Sequence, residues 1–206
     1  MPELISGLDV SRETMDALTH YAALLEKWTR KINLIAPDSV ATIWQRHIVD
    51  SAQLFSYIPA AVRTYADLGS GGGLPAVVLA ILFKEVSPLT KTTMIESDVR
   101  KSTFLRTAIR ELDLNAEVIA KRIDDVMPRD VDLVTARALA PLPQLLAYVS
   151  THLSKSGAAL LPKGQNHAAE VAAASQDWHF SLKEHISLTN PDARILEIGD
   201  ISRAKS

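Results

Sequence analysis

Tyr65-Ala66-Asp67-Leu68-Gly69-Ser70-Gly71-Gly72-Gly73-Leu74-Pro75 is the stretch that decides how this chain is read. Thr64 to Leu68 predicts a short strand. Leu74 to Phe83 predicts a helix with Pro75 in its first turn, where the missing N–H removes no intrahelical bond. The glycines between them let the backbone turn tightly and let a ligand approach the main chain closely. In an open parallel sheet, ligands sit beyond the C-terminal ends of the strands, which is where this loop falls.

The spacing says what the loop is not built for. A dinucleotide fingerprint needs glycines at its first, third and sixth positions. Counted from Gly69 these are Gly69, Gly71 and Leu74, so the third glycine is missing. A phosphate-cradling P-loop needs Gly-Lys-Ser/Thr at the helix start, and Leu74-Pro75 stands there instead. Pro75 also lacks one of the backbone N–H groups with which a helix N-terminus grips phosphate.

Working outward, Thr92 to Glu96, Glu117 to Ala120, Val131 to Thr135 and Ala158 to Pro162 predict strands. Asp98 to Leu112, Pro141 to Leu153 and Gly164 to Ala174 predict helices, the first with Thr103, Phe104, Ala108 and Leu112 inward. Phe180 to Leu188 and Arg194 to Ile201 predict two last strands joined by the turn-rich Thr-Asn-Pro-Asp-Ala. Such strand–helix repeats make a parallel sheet with helices on both faces, and the terminal pair adds an antiparallel hairpin. Residues 1 to about 60 read as helical. Ser11 caps a first helix whose apolar positions Met15, Leu18, Ala22, Leu25, Trp28 and Ile32 recur near the helical period. After Pro37, Ser39 caps a second helix carrying Val40, Ile43, Trp44, Ile48, Ala52 and Phe55, which Pro59 ends. The expected organisation is an N-terminal helical extension over 1–60 and an α/β domain over 61–206.

Composition narrows the chemistry. The 206 residues include 22 Lys and Arg, 24 Asp and Glu, and no Cys, for a net charge of −2. A chain of this size buries roughly 70% of the surface exposed when unfolded, so it needs no staples. Without cysteine there is no thiolate nucleophile and no Cys-ligated zinc or iron–sulfur centre. The six histidines show no His-x-x-x-His or Glu-x-x-His pairing, so no metal site is expected. The longest apolar run, Leu74 to Phe83, is half of the about twenty residues that span a bilayer. The start, MPELISGLDVSRE, has acids where a secretory signal would be basic and then apolar, so a cytoplasmic protein is expected. Near-neutral charge restricts any nucleic-acid site to a local patch.

The loop resembles the Asp-x-Gly-x-Gly-x-Gly signature of class I S-adenosylmethionine-dependent methyltransferases, with Asp67, Gly69, Gly71 and Gly73 matching. The methionine part of that cofactor carries an amino group and a carboxylate and no phosphate. An acid at the strand end suits the ammonium, and free backbone amides suit the carboxylate. Glu96 falls at the end of the second strand, where class I enzymes place an acid that binds both ribose hydroxyls.

Other segments narrow the resemblance to the RsmG/GidB family, bacterial enzymes that methylate a guanine of 16S ribosomal RNA at N7. They are Trp28 to Leu34, Arg46-His47-Ile48-Val49-Asp50-Ser51, the glycine loop, Glu96-Ser97 with Arg100-Lys101 and Phe104-Leu105, Lys121 to Asp124, Ala136-Arg137-Ala138, and Lys163-Gly164. Three positions depart from the usual pattern: Ala76 for Gly, Glu96 for Asp, and Ala136 for Ser. The resemblance implies a class I Rossmann-like α/β fold and S-adenosylmethionine as cofactor, with contacts at Gly69, Leu74, Ile123, Asp124 and Arg137. Ile123 would sandwich an adenine, and Asp124 would accept from its exocyclic amine. For Arg137, the alternative is an internal salt bridge to Asp132 or Asp67, since an unpaired cation in a crevice is costly.

The implied partner is 16S ribosomal RNA, bare or within the small ribosomal subunit, with no membrane partner and the chain acting as a monomer. Arg30, Lys31 and Lys163 are the preferred RNA contacts, and Arg46 and His47 are candidates for the active-site rim. The plainer reading of Arg46 is a helix-surface ion pair with Asp50 at i,i+4, worth a few tenths of a kcal/mol. Guanine N7 is an acceptor carrying no proton, so no general base is required and no catalytic residue is named. Two readings stay open: a class I methyltransferase acting on a small molecule or protein, and a non-catalytic nucleotide-binding module. The missing third glycine disfavours a nucleotide-dependent oxidoreductase.

Overall fold

In the computed structural model, which describes residues 3–5 and 7–204, the chain opens with an antiparallel hairpin. Strands β1 (Glu3–Ile5) and β2 (Leu8–Val10) pair across Gly7, whose φ is +81°. This departs from the helical reading of the first residues. Ser11 then caps α1 (Arg12–Thr29), its hydroxyl accepting from the Thr14 N–H at 3.2 Å. The buried stripe of α1 runs through Leu18, Tyr21, Leu24 and Leu25, with Met15, Ala22 and Trp28 at its edges.

The single helix expected from Ser39 is instead broken into four pieces. They are a 3₁₀ turn (Pro37–Thr42), a π turn (Trp44–Val49), one turn of α2 (Asp50–Ala52) and a second 3₁₀ turn (Gln53–Tyr57). Ser39 is no cap here: its hydroxyl donates to the Ala36 carbonyl at 2.7 Å. The π turn adds a residue to the hydrogen-bonded ring. It lets Ile43 and Ile48 both enter the core while Trp44, Gln45 and Arg46 face outward.

The rest is a seven-stranded sheet: β3 (Thr64–Leu68), β4 (Lys91–Ile95), β5 (Ala116–Ile119), β6 (Val131–Thr135), β7 (Leu153–Lys163), β8 (Trp178–Ile186) and β9 (Arg194–Arg203). Its order is β5-β4-β3-β6-β7-β9-β8. Strands β3 to β7 pair in parallel, and β9 runs antiparallel to both β7 and β8. The doubly wound sheet and its antiparallel C-terminal hairpin are therefore as expected. The helices are α3 (Ala76–Val86), α4 (Val99–Leu112), α5 (Leu142–His152) and α6 (His167–Asp177). Strand β7 begins at Leu153 because its first residue already pairs with Val131. Helix α6 starts three residues later than expected, after a turn at Gly164–Asn166. On α4, Thr103 faces solvent, and Ser102 and Leu105 take its inward place beside Phe104 and Ala108.

Successive strand residues point to opposite faces, and each face has its own core. Tyr65, Met94, Leu133 and Leu160 pack with α1, α3, α4 and the irregular segment after α1. Ala66, Leu68, Ile95, Val134 and Leu161 pack with α5, Ala174 of α6 and Trp178. Helix α3 is buried at every position from Ala76 to Phe83. A helix apolar all round must be covered on every side, and the cover is α1 together with Ile43, Ile48, Ala52 and Leu54. Chain direction reverses on either side of β3, which leads to β4 and β5 one way and has β6 and β7 on the other. The carboxyl end of β3 is therefore the switch point at which such sheets bind ligands. Among the described residues no helix is long and apolar enough to cross a membrane.

One bond ties this outer layer to the switch point: the buried Tyr21 hydroxyl of α1 donates to the Gly72 carbonyl. Tyr21→Phe leaves that carbonyl buried without its donor, and it should lower unfolding free energy by about 1–3 kcal/mol. Urea denaturation measures the change; an unaltered midpoint would show that the bond contributes nothing.

Candidate active site

The loop after β3 is shaped by backbone that only glycine adopts easily. Gly69 has φ +68° and Gly73 φ +80°, in the left-handed region where a side chain is strained. A Cβ on Gly69 would also lie 2.6 Å from the Leu139 side chain, and one on Gly73 2.5 Å from Val77. The loop is then hung from the next strand. The N–H groups of Gly69 and Ser70 both donate to the Ile95 carbonyl, at 2.9 and 3.0 Å. The Gly71 N–H donates to Glu96 Oε2 at 2.8 Å, while Glu96 Oε1 accepts from the Asp98 N–H at 2.8 Å. Asp98 in turn caps α4, accepting from the N–H groups of Arg100 and Lys101.

Asp67 is the penultimate residue of β3 and is buried. Thr135 donates to its Oδ1, and that fixes Tyr65 as donor to Thr135 at 2.6 Å, a relay from phenol to hydroxyl to carboxylate. Oδ2 has no hydrogen-bond partner among the described residues. Burial pushes the Asp67 carboxyl up to about 6, against the lowering effect of the Thr135 bond. An unpartnered buried carboxylate oxygen is costly, and it is the feature a cationic group would relieve.

Two clefts flank the segment that follows β6. The smaller, of about 470 Å³, is lined by Gly69 and Gly71, by Glu96, by Ile123 and Asp124 after β5, and by Gln144 and Tyr148 of α5. The larger, of about 920 Å³, is lined by Arg46, Asp50 and Gln53, by Arg137, by Lys163, and by the β8–β9 loop through Arg194. Ala138, Leu139, Ala140 and Pro141 line both and form the shared wall. Ala138 holds φ +51°, a left-handed conformation unusual for alanine.

The larger cleft is organised around Arg137. Its guanidinium meets Asp50 Oδ2 at 3.4 Å and His47 Nδ1 at 3.3 Å. His47 Nε2 lies 2.8 Å from Ser39 Oγ, which itself donates to Ala36. Desolvation, then the Arg137 and Arg46 charges, push the His47 imidazole down to about 4. At neutral pH it is uncharged, with Nδ1 accepting from Arg137 and Nε2–H donating to Ser39. Arg137 is thus ion-paired, with Asp50 as partner in place of Asp132 or Asp67. Asp132 is engaged elsewhere, accepting from the N–H groups of Arg63 and Thr64, each at 2.9 Å. Asp50 is consequently taken from Arg46, with which it forms no ion pair among the described residues.

The expected site residues divide between these places. Gly69, Gly71, Glu96, Ile123 and Asp124 share the smaller cleft, whereas Asp67 lines neither cleft and is buried near the end of β3, within electrostatic reach of Glu96 and Arg137. Gly73 packs against α3, and Leu74 turns into the core below the sheet's outer layer and lines neither cleft. Arg137 stands on the larger cleft, with Arg46 and its neighbour His47. Lys163 also lines that cleft, but its ammonium is held by Glu170 and the Ala140 carbonyl, each at 2.8 Å. Arg30 pairs with Glu26 on the exposed end of α1 at 2.7 Å, and neither it nor Lys31 lines a cleft. Gln53, Thr189 and Arg194 were not singled out. The turn signal of Thr-Asn-Pro-Asp-Ala pointed to the region of Thr189 and Arg194, which strand pairing carries to the cleft; Gln53 fell inside the predicted second helix with no signal of its own.

Comparison with known proteins points one way. A sequence model of GidB, described as rRNA small subunit methyltransferase G, matches residues 14–196. A ribosomal RNA small subunit methyltransferase G of Paracoccus denitrificans is 52% identical over 198 residues, covering 96% of this chain and all of its own. One of Cereibacter sphaeroides is 48% identical over 195 residues, covering 95% of both chains. Among solved structures, a SAM-dependent methyltransferase from Aquifex aeolicus aligns with TM-score 0.59 at 13% identity, covering 86% of this chain and 97% of its own. The 16S rRNA methylase RmtB aligns with TM-score 0.56 at 16% identity, covering 95% and 77%. These structural likenesses show a shared methyltransferase fold.

Asp67 should register as a cost to the ligand-free chain. A carboxyl whose folded pKa is raised from 3.8 to about 6 contributes stability at low pH, lost as pH rises through about 6. Asp67→Asn should therefore stabilise the ligand-free protein by on the order of 2 kcal/mol near neutral pH, with the gain gone near pH 4. Chemical denaturation at the two pH values tests this; equal stability at both would show that the carboxylate is not strained.

Proposed function

This chain belongs to the GidB family, the rRNA small subunit methyltransferases G, and on that premise we propose that it methylates N7 of a guanine in 16S ribosomal RNA, acting in the cytoplasm on the small subunit. S-adenosylmethionine, the cofactor of this methyltransferase family, supplies an electrophilic methyl group on a sulfonium when bound. The observation that carries the reading is the meeting of two clefts at Ala138–Pro141, one lined by the glycine loop, Glu96, Ile123 and Asp124 and one of about 920 Å³.

The residues of the smaller cleft, together with Asp67, fit the cofactor group by group. Asp67 Oδ2, buried without a partner, suits an ammonium. Glu96 spends one lone pair of each oxygen on Gly71 and Asp98, leaving acceptor capacity for hydroxyls. Ile123 offers an apolar face, and Asp124 an exposed carboxylate for an exocyclic amine. Leu139 packs against Gly69 and lines both clefts.

On the substrate side the chain's task is placement. Guanine N7 presents a lone pair and no proton, so no side chain has to remove one, and neutral His47 is already engaged on both nitrogens. Holding two reactants in line is worth up to ~7–11 kcal/mol of barrier. The wall from Ala138 to Pro141, fixed by Lys163 through the Ala140 carbonyl, gives both partners one rigid reference.

Two measurements check this. Mapping N7-methylguanine in 16S rRNA by chemical cleavage, with and without the gene, should show one site lost; identical maps would end the substrate assignment. Calorimetric titration should show S-adenosylmethionine binding and no NAD binding. Because Asp67 must be ionised to receive an ammonium, affinity should fall as pH drops below about 6, by up to tenfold per pH unit. Asp67→Asn should bind weakly at every pH, and a wild-type affinity that ignores pH would remove Asp67 from the site.

A further inference from the structure

The larger cleft carries more charge than its internal pairs need. Arg137 is matched by Asp50, and Lys163 by Glu170. Two guanidiniums on its walls, Arg46 and Arg194, form no ion pair among the described residues. Arg46 projects from the π turn of the N-terminal layer. Arg194 opens β9 and pairs in register with Lys163 of β7. Its Nη1 donates to the carbonyls of Pro191 and Ala193 at 2.7 and 2.8 Å. That anchors one edge of the guanidinium and leaves the donors of Nε and Nη2 for something else.

The two walls are fastened to each other. Buried Gln53 accepts from the Leu188 N–H at 2.7 Å and donates to Ser187 Oγ at 3.2 Å, and Thr189 donates to Asp50 Oδ1. The β8–β9 loop is therefore held against the N-terminal segment, so the two guanidiniums stand on a braced frame. Between them lie the apolar surfaces of Leu139, Pro141, Pro162 and Ile195.

We propose that this cleft grips one unstacked nucleotide, with its base on the apolar floor and its 5′ and 3′ phosphates on Arg46 and Arg194. This rests on the RNA-methylating reading above and deepens it. In A-form RNA the major groove is too narrow for side chains to read, so N7 is reached on a base drawn out of the stack. Such a base leaves its two phosphates splayed, and two cations without ion pairs, carried to one cleft by separate elements, offer one partner to each. Guanidinium is suited to phosphate because its planar fork donates two hydrogen bonds at once.

The probe is guanosine 3′,5′-bisphosphate, titrated calorimetrically into the full chain and compared with guanosine. The bisphosphate should bind more tightly than guanosine, and less tightly as salt is added. Arg46→Ala and Arg194→Ala should each weaken it roughly ten- to hundredfold while leaving guanosine binding as it was. Arg194→Lys keeps the charge without the fork, and should recover part of the affinity lost in the alanine variant, with its salt dependence restored. Arg12→Ala, on the exposed start of α1, should change nothing. A bisphosphate that binds no better than guanosine, fails to bind at millimolar concentration, or binds both alanine variants like wild type overturns the proposal. Methyl transfer by wild type to 16S rRNA and to small subunits lacking the modification is measured alongside. If neither is methylated while the bisphosphate behaves as expected, the rRNA reading fails and the nucleotide cleft stands.

Discussion

The carboxylate of Glu96 accepts from Gly71 with one oxygen and from Asp98 with the other. One side chain thereby holds the glycine loop on its left and the cap of α4 on its right. The loop's other anchors, Gly69 and Ser70 on the Ile95 carbonyl, come from the same strand end. A loop of four glycines in five residues has a large conformational entropy to lose. It is ordered here because β4 presents a carbonyl and a carboxylate in register, and because Tyr21 closes on it from behind. The same carboxylate faces the smaller cleft, so the group that shapes the loop also meets what the loop binds. Its neighbour Asp67 raises the electrostatic cost of that arrangement, since two carboxylates stand near each other with one oxygen orphaned. The loop is thus geometrically settled, with one buried carboxylate oxygen beside it left without a hydrogen-bond partner among the described residues.

Much of this was legible because the informative interactions are local. β3, the glycine turn and α3 are consecutive, and their residue types are forced by backbone geometry and by burial on both faces. Strand β4 and helix α4 follow from the same logic, although Asp98, read as the helix's first residue, is its cap. The stretch from Pro37 to Tyr57 was not legible. Its apolar residues are compatible with one helix, and the break into 3₁₀ and π turns answers to α3 and the sheet beneath it. The contact at Leu74 is implied by the family resemblance alone, and the structure adds that its side chain, after the positive φ at Gly73, packs in the core. Arg137 was recognised as a cation needing an explanation. Its partners, 87 and 90 residues earlier, could not be chosen without the tertiary packing that brings the π turn over β6.

A net charge of −2 argues against a protein coated in basic surface, and the clefts show how such a chain concentrates its charge. Exposed cations such as Arg12 and Arg30 are matched on their own helix by Asp16 and Glu26. Lys84 is matched by Asp113 at the end of α4. Exposed pairs of this kind contribute little to stability, and they also cancel the field that would otherwise draw polyanions to the whole surface. Arg46 and Arg194, which form no ion pair among the described residues, both line the larger cleft.

The pairing inside that cleft has a chemical consequence. Methylation at N7 turns a neutral guanine into a cationic one. Every uncompensated cation within a few ångströms would oppose that change, by on the order of 4 kcal/mol at 4 Å in a partly solvated site. Four free cations around the base would therefore bind the phosphates well and resist the reaction. Matching Arg137 with Asp50, matching Lys163 with Glu170, and keeping His47 uncharged between Arg137 and Ser39 would remove that opposition for a base held as proposed. Positive charge is kept at Arg46 and Arg194, on the walls, where phosphates rather than the ring would meet it. The low pKa of His47 is then not incidental: a protonated imidazole would displace Arg137 from its nitrogen acceptor and add a charge beside the developing one.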